Sequence, residues 1–262
     1  YYQDDQLKKA LACLLKAEQL NGLDAATRFY NLIDFFNVAM NLHLPQAEIQ
    51  SILDQLSPYK DVQRIGNSKS MVLSAEYSFL SSCKKDAEAL AKAQEAFASR
   101  IHKSPSYSDD VYFRDLITAY RLNGQIPDAW ATLRRWRKEG EIKFVDTKHN
   151  QLIEELNLYY YEDKLDDAWD TLQHIKAEEQ YLGRVGMYAN TLYWEILIGT
   201  KTGRLEQVKP ALGVIFSKHR NSEDLADRYV CYKAFARYCC ASCRIVPPEN
   251  RERMERHAEL WL

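Results

Sequence analysis

Apolar residues recur at helical rather than alternating spacing along almost the whole chain. Leu7, Ala10, Leu11, Leu14 and Leu15 form one stripe, closed by Asn21-Gly22, a helix-end signal because glycine enters the left-handed backbone region without penalty. Phe29, Leu32, Ile33, Phe36 and Ala39 form the next, up to Leu44-Pro45, and Ile49, Ile52, Leu53 and Leu56 run to Ser57-Pro58. The same spacing predicts helices over 68–83, 86–102, 109–123, 126–139, 148–162, 165–179, 187–202, 205–219 and 223–243, with one more after Pro247-Pro248. The helices come in pairs joined by short turns, the pattern of an array of antiparallel helical hairpins.

The pairs also resemble one another. Asp128-Ala129-Trp130-Ala131-Thr132-Leu133 returns as Asp167-Ala168-Trp169-Asp170-Thr171-Leu172 at a spacing of 39, with Tyr120 falling on Tyr159 and Ile126 on Leu165. At a further spacing of 40, Asn150-Gln151-Leu152 returns as Asn190-Thr191-Leu192, Leu156 as Ile196, and Lys164-Leu165 as Arg204-Leu205. A repeat of this length is the signature of a solenoid, in which each hairpin buries its apolar face only against its neighbours. The expected fold is therefore all-α, a right-handed α-solenoid of roughly six antiparallel hairpins occupying 1–262 as a single domain. Its clearest repeats are 111–145, 148–183 and 188–220, and 223–262 supplies C-terminal capping helices. Small residues at Ala129 and Ala168 let the second helix of a pair press on the first, and Trp130, Trp169, Tyr120 and Tyr159 are expected in the repeat core. Trp130, Leu133 and Trp136 plug the gap toward the neighbouring hairpin.

Composition supports the same class. Nine Gly and seven Pro in 262 residues are too few for a many-stranded architecture, which needs a turn signal every ~8–12 residues. The apolar stretch Thr191–Thr200 is too short to span a bilayer, so no membrane role is expected. Six cysteines, four of them bunched at Cys231, Cys239, Cys240 and Cys243, do not make a secreted disulfide framework. Cys239, Cys240 and Cys243 are the one set with metal-like spacing, but tetrahedral zinc needs a second pair and none follows. They read as buried helix cysteines, and no metal or cofactor is expected.

No catalytic constellation is visible. The six histidines (His43, His102, His149, His174, His219 and His257) are scattered, and Glu154-Glu155 and Asp166-Asp167 are adjacent positions whose side chains point apart on a helix. Neither a nucleophile elbow, a paired-histidine zinc motif nor a phosphate loop occurs, so the chain reads as non-enzymatic, with no small-molecule substrate.

Val111, Phe113, Leu116, Ile117, Tyr120, Gly124, Ile126, Ala129, Leu133 and Gly140 occupy one thirty-residue pattern without insertion, with Trp136 where that pattern usually has Met. In these residues the segment resembles a pentatricopeptide repeat, a relative of the tetratricopeptide repeat. The resemblance implies an organellar, mitochondrial location and work on RNA, in transcript processing, editing or the mitochondrial ribosome. In that family a first-helix residue and the last residue of a repeat read the base. Arg114 and Phe144 hold those positions in the best copy, while Asn150 and Asn190 match the first position in the longer copies.

Charge alternates along the chain although the net total is only −2. Arg134, Arg135, Arg137, Lys138 and Lys143 make one hairpin basic; Glu154, Glu155, Glu162, Asp163, Asp166, Asp167 and Asp170 make the next acidic; Lys201, Arg204, Lys209, Lys218 and Arg220 follow. A continuous phosphate track is not interrupted by an acidic hairpin, so the alternation suits protein partners better. Of Tyr159, Tyr160 and Tyr161, not all can face inward, which leaves Tyr160 and Tyr161 as partner-facing candidates. The leading expectation is a scaffold in a mitochondrial RNA-related assembly, binding protein and RNA backbone. Two alternatives stay open: a direct single-stranded RNA binder using Arg114, Asn150 and Asn190, and a tetratricopeptide-like cytoplasmic adapter with no RNA role.

Overall fold

The computed structural model describes residues 9, 12–13, 23–62, 64–100, 109–139, 147–181, 189–220 and 225–243, without the side chains of 181, 189–190, 218–219, 225–227, 229 and 243. The stripe over 7–15 with its Asn21-Gly22 stop, the piece after Pro247, and Gly140, Lys143 and Phe144 lie outside this set. Among the described residues all regular structure is helical: α1 (Ala25–Asn41), α2 (Gln46–Leu56), α3 (Ser68–Ser82), α4 (Asp86–Ser99), α5 (Asp110–Leu122), α6 (Ile126–Glu139), α7 (Thr147–Tyr161), α8 (Leu165–Tyr181), α9 (Ala189–Lys201), α10 (Leu205–His219) and α11 (Leu225–Cys243). No helix among them is long and apolar enough to cross a membrane.

Boundaries follow local chemistry. Asp24 caps α1 with its carboxylate, accepting from the amides of Ala26 and Thr27 at 2.9 Å each. After α2 the chain tightens into a 3-10 turn over Ser57–Asp61, with Pro58 in its first turn and a bond from the Val62 amide to the Tyr59 carbonyl. The sequence pattern does not separate this turn from α2; Pro58 lacks the N–H that would continue the α-helical ladder. α4 ends at Ser99, short of the expected 102, because Arg100 is extended and its guanidinium folds back to donate to the Phe97 carbonyl at 2.5 Å.

One turn recurs between the two helices of each pair. Gly124 has positive φ, its amide bonds the Arg121 carbonyl, and the Gln125 amide reaches back to Tyr120. These are the two bonds of a Schellman ending, which satisfies carbonyls orphaned at a helix C-terminus. Asp163 with Lys164, Lys84 with Lys85, and His43 with Leu44 make the same pair of bonds. Gly203 also has positive φ, followed by a bond from Arg204 to the Gly199 carbonyl. The left-handed positions His43, Lys84, Gly124, Asp163 and Gly203 are thus spaced by about 40 residues, a regularity that reaches further up the chain than the sequence repeats do.

The helices fall into two compact units, divided between Lys143 and Phe144. In the first, α1 pairs with α2, α3 with α4 and α5 with α6, while α4 also meets α5, and α1 and α5 each meet α3. Its core joins Phe29, Phe36, Ile52, Leu56 and Val72. Further along, Phe97 meets Phe113 edge-on at 5.0 Å, and Phe113 stacks on Trp136 at 5.7 Å and 4°. In the second unit α7 pairs with α8 and α9 with α10, and α9 also packs on α8 and α11. One cluster holds Leu156, Ala168, Leu172, Ile175 and Ile198; another holds Ile196, Val208, Ile215, Cys231 and Ala234; Trp169 packs against both.

Candidate functional site

The repeated turn places equivalent residues on equivalent faces. Five positions after the left-handed residue stand Ala89, Ala129, Ala168 and Val208, all buried. The neighbouring Trp130 and Trp169 are only half-buried, whereas Trp136 is fully enclosed and donates from Nε1 to Asp110 Oδ1 at 2.9 Å. Tyr120 and Tyr159 are half-buried as well. Four of the five turns are thus followed by a buried apolar residue, whereas the fifth position after His43 is exposed Glu48.

What varies is the outside. On α6, Arg134, Arg135, Arg137 and Lys138 are exposed, opposite buried Ala129, Thr132, Leu133 and Trp136. Arg135 is held by Glu139, Nε lying 2.9 Å from both carboxylate oxygens, and its guanidinium sits 5.1 Å from the centroid of Phe97. Arg134 and Lys138, one helical turn apart, are available as cations. The matching positions of α8 are Gln173, His174, Lys176 and Ala177, and the exposed charges there are Asp166, Asp167 and Asp170 nearer its start. Asp166 accepts from Arg204 Nη2 at 2.6 Å, and Arg204 in turn lies 5.0 Å from the centroid of Trp169. Arg114 is exposed on α5 and Asn150 half-buried on α7; the side chain of Asn190 on α9 is outside the described set. Asn150 belongs to the second unit and Arg114 to the first.

The second unit carries a row of partly exposed rings. Tyr160 of α7 meets Trp194 of α9 edge-on at 5.1 Å, and Tyr193 lies 6.4 Å from Trp194. Lys201 Nζ stands 4.3 Å from the centroid of Tyr160, and Lys233 Nζ of α11 stands 5.3 Å from that of Tyr193. All three rings are half-buried, and Tyr161 beside them is 51% exposed. Ring faces and cationic amines therefore alternate across α7, α9 and α11.

Comparison with protein-family models, with curated proteins and with solved structures finds no match. Function must be read from the residues themselves.

Beneath the surface of the same unit, α8 and α9 share buried carboxylates. Glu179 accepts from Thr191 Oγ1 at 2.6 Å, and Glu195 pairs with Lys176 Nζ at 2.7 Å. Burial pushes the Glu179 carboxyl above its usual range, against the opposing pull of Thr191 and Lys176. Of the metal-like cysteine set, Cys239 is buried and Cys240 exposed, while the side chain of Cys243 lies outside the description. Burial also raises the Cys231 thiol, which suits a core hydrophobe rather than a nucleophile.

Sequence reasoning singles out Tyr160 and Tyr161 and counts Lys201 in a basic run, but passes over Tyr193, Trp194 and Lys233. Trp194 lies in the most apolar stretch of the chain and reads there as core. Its position one residue from Tyr193 on a helix, facing a tyrosine of the preceding pair, is the signal that locates it.

Proposed function

We propose that this chain is a non-enzymatic helical-repeat scaffold, a right-handed α-solenoid of antiparallel hairpins, that holds proteins of a mitochondrial RNA-processing or ribosomal assembly and touches RNA backbone. The observation that supports a scaffold is the contrast between constant interior and changing exterior. The turn recurs at a spacing of about 40 and is followed in four of five cases by a buried Ala or Val, while the exposed charges change from basic on α6 to acidic on α8. A reader of uniform phosphate would keep one sign of charge along its length. A scaffold that seats several partners needs a different surface at each repeat. The mitochondrial and RNA setting comes from the likeness of Val111–Gly140 to a pentatricopeptide repeat.

The test is affinity capture of the full chain from mitochondrial extract, with and without nuclease. Retention of RNA-processing or ribosomal proteins through nuclease supports the scaffold. Capture of partners only in a parallel pull-down from cytosolic extract supports the tetratricopeptide-like adapter instead. A second reading, direct reading of single-stranded RNA through Arg114, Asn150 and Asn190, is favoured by the exposure of Arg114. It requires that loss of those three side chains abolish binding of the isolated chain to RNA.

A further inference from the structure

We propose that the seam between α8 and α9 is a proton-dependent joint, held by apolar packing at one end and closed at the other only while Glu179 carries a proton. The joint does not depend on the scaffold reading. Its two ends differ in chemistry. Where the start of α8 meets the end of α9, Ile198 packs with Ala168, Leu172 and Ile175, and Trp169 comes within 3.3 Å of the place a Cβ on Gly199 would take. Where the end of α8 meets the start of α9, the contact is two polar rungs. Thr191 Oγ1 donates to Glu179 at 2.6 Å, and Lys176 Nζ lies 2.7 Å from Glu195 Oε1. Lys176 and Glu179 stand one turn apart on α8, as do Thr191 and Glu195 on α9, so the rungs are adjacent.

The charges at this end do not balance. Glu179 and Glu195 are both buried, and one lysine serves the two. Lys176 is committed to Glu195, which leaves Glu179, among the described residues, with a hydroxyl donor and no ion pair. Ionising Glu179 sets a second negative charge inside the seam, and a buried charge without its own counter-ion costs more than one hydrogen bond returns. Protonated, the same carboxyl still accepts from Thr191 and does not repel Glu195. Parting of the rungs lets water solvate the carboxylate, so ionisation favours an open polar end while the apolar end acts as the hinge. The neighbouring helices supply no counter-charge. α7, also packed on α8, brings buried Glu154, half-buried His149 and Lys148, the last tied to Glu178 at 2.7 Å. On α9 pack α10, whose Lys209 is held by Glu206, and α11, with half-buried Arg228 and with Lys233 over the Tyr193 ring. Of all these groups, Lys176 and Glu195 act on Glu179, with opposite signs. Because the joint lies between consecutive pairs, proton uptake fixes how the surface of α7 and α8 is set against that of α9 and α10.

The experiment is fluorine NMR of the full chain labelled with fluorotryptophan, across a pH series, with the five tryptophan signals assigned by single Trp→Phe variants. Trp194 stands next to Glu195 and meets Tyr160 edge-on at 5.1 Å, whereas Trp169 lies at the apolar end. The solvent isotope shift of each fluorine between light and heavy water reports its exposure. The expected result is a Trp194 isotope shift that grows as pH rises through and above the ordinary glutamate range, while that of Trp169 stays constant. The ratio of open to closed should climb by up to about tenfold per pH unit, the slope for one proton. Glu179→Gln keeps the acceptor for Thr191 without the charge, and should hold the Trp194 signal at its acid value throughout. Glu178→Gln, which removes the neighbouring carboxylate bound to Lys148, should titrate like the parent. A Trp194 signal indifferent to pH, the same titration in Glu179→Gln, or equal responses from Trp194 and Trp169 would overturn the proposal.

Discussion

A Cβ added to Gly199 would stand 2.2 Å from Cγ1 of Val208 and 3.3 Å from Cζ3 of Trp169. Where the preceding pairs carry Tyr120 with Ala129 and Tyr159 with Ala168, the α9–α10 pair carries Gly199 with Val208. At Gly199 the missing side chain leaves the space that Val208 fills.

Gly199→Ala should therefore destabilise the fold, although alanine is the better helix former. Overpacking a closed contact costs about 1–3 kcal/mol and the propensity gain returns up to about 1 kcal/mol, leaving a net loss of about 1–2 kcal/mol. Val208→Ala in the same chain should recover much of it. Urea denaturation of the two single variants and the double variant measures the coupling, and additive effects would contradict the contact.

The two tryptophans of α6 should differ sharply. Trp136 is enclosed, stacked on Phe113 and bonded to Asp110, so Trp136→Phe should cost about 2–3 kcal/mol through lost packing and the lost hydrogen bond. Trp130 is half-buried, and Trp130→Phe should cost less than half as much. Thermal melts of both variants decide the order.

The left-handed turn positions offer a test of opposite sign. Lys84 occupies with φ 57° the place that Gly124 holds with φ 71°. A side chain there carries left-handed strain of about 1–2 kcal/mol, partly offset by the greater unfolded freedom of glycine. Lys84→Gly should stabilise by about 0.5 kcal/mol and Gly124→Ala should destabilise by about 1 kcal/mol in denaturant titrations.

Glu179 predicts a pH dependence. Its folded pKa is raised by burial, so the folded state holds a proton that the unfolded state releases at the ordinary glutamate value. Stability from this group is intact below the unfolded pKa, falls as pH rises through the window up to the raised folded value, and stays low above it. Glu179→Gln mimics the protonated form and can still accept from Thr191. It should be more stable than the parent at neutral pH and lose that advantage in acid, read from denaturation midpoints across the pH range.

Much of the helical order is legible in the sequence, since Gly124 and Gly203 mark turns and the Ala129 and Ala168 motifs set the register. The turns at His43, Lys84 and Asp163 are less so, because residues that merely tolerate positive φ do not announce it. Equal hydrophobicity hides the difference between Trp136, enclosed, and Trp130, half-covered; only the packing of Phe113 and Asp110 around the former separates them. The row of rings is legible at Tyr160 and not at Trp194, whose apolar neighbours on α9 mask its partial exposure.

The most direct measurement of the scaffold proposal is capture of the tagged full chain from mitochondria before and after nuclease, compared with a variant carrying Arg134→Glu and Lys138→Glu on α6. The account predicts RNA-processing or ribosomal proteins that survive nuclease with the parent chain and are depleted with the variant, whose fold is unchanged. Recovery of no such protein with the parent chain would contradict it.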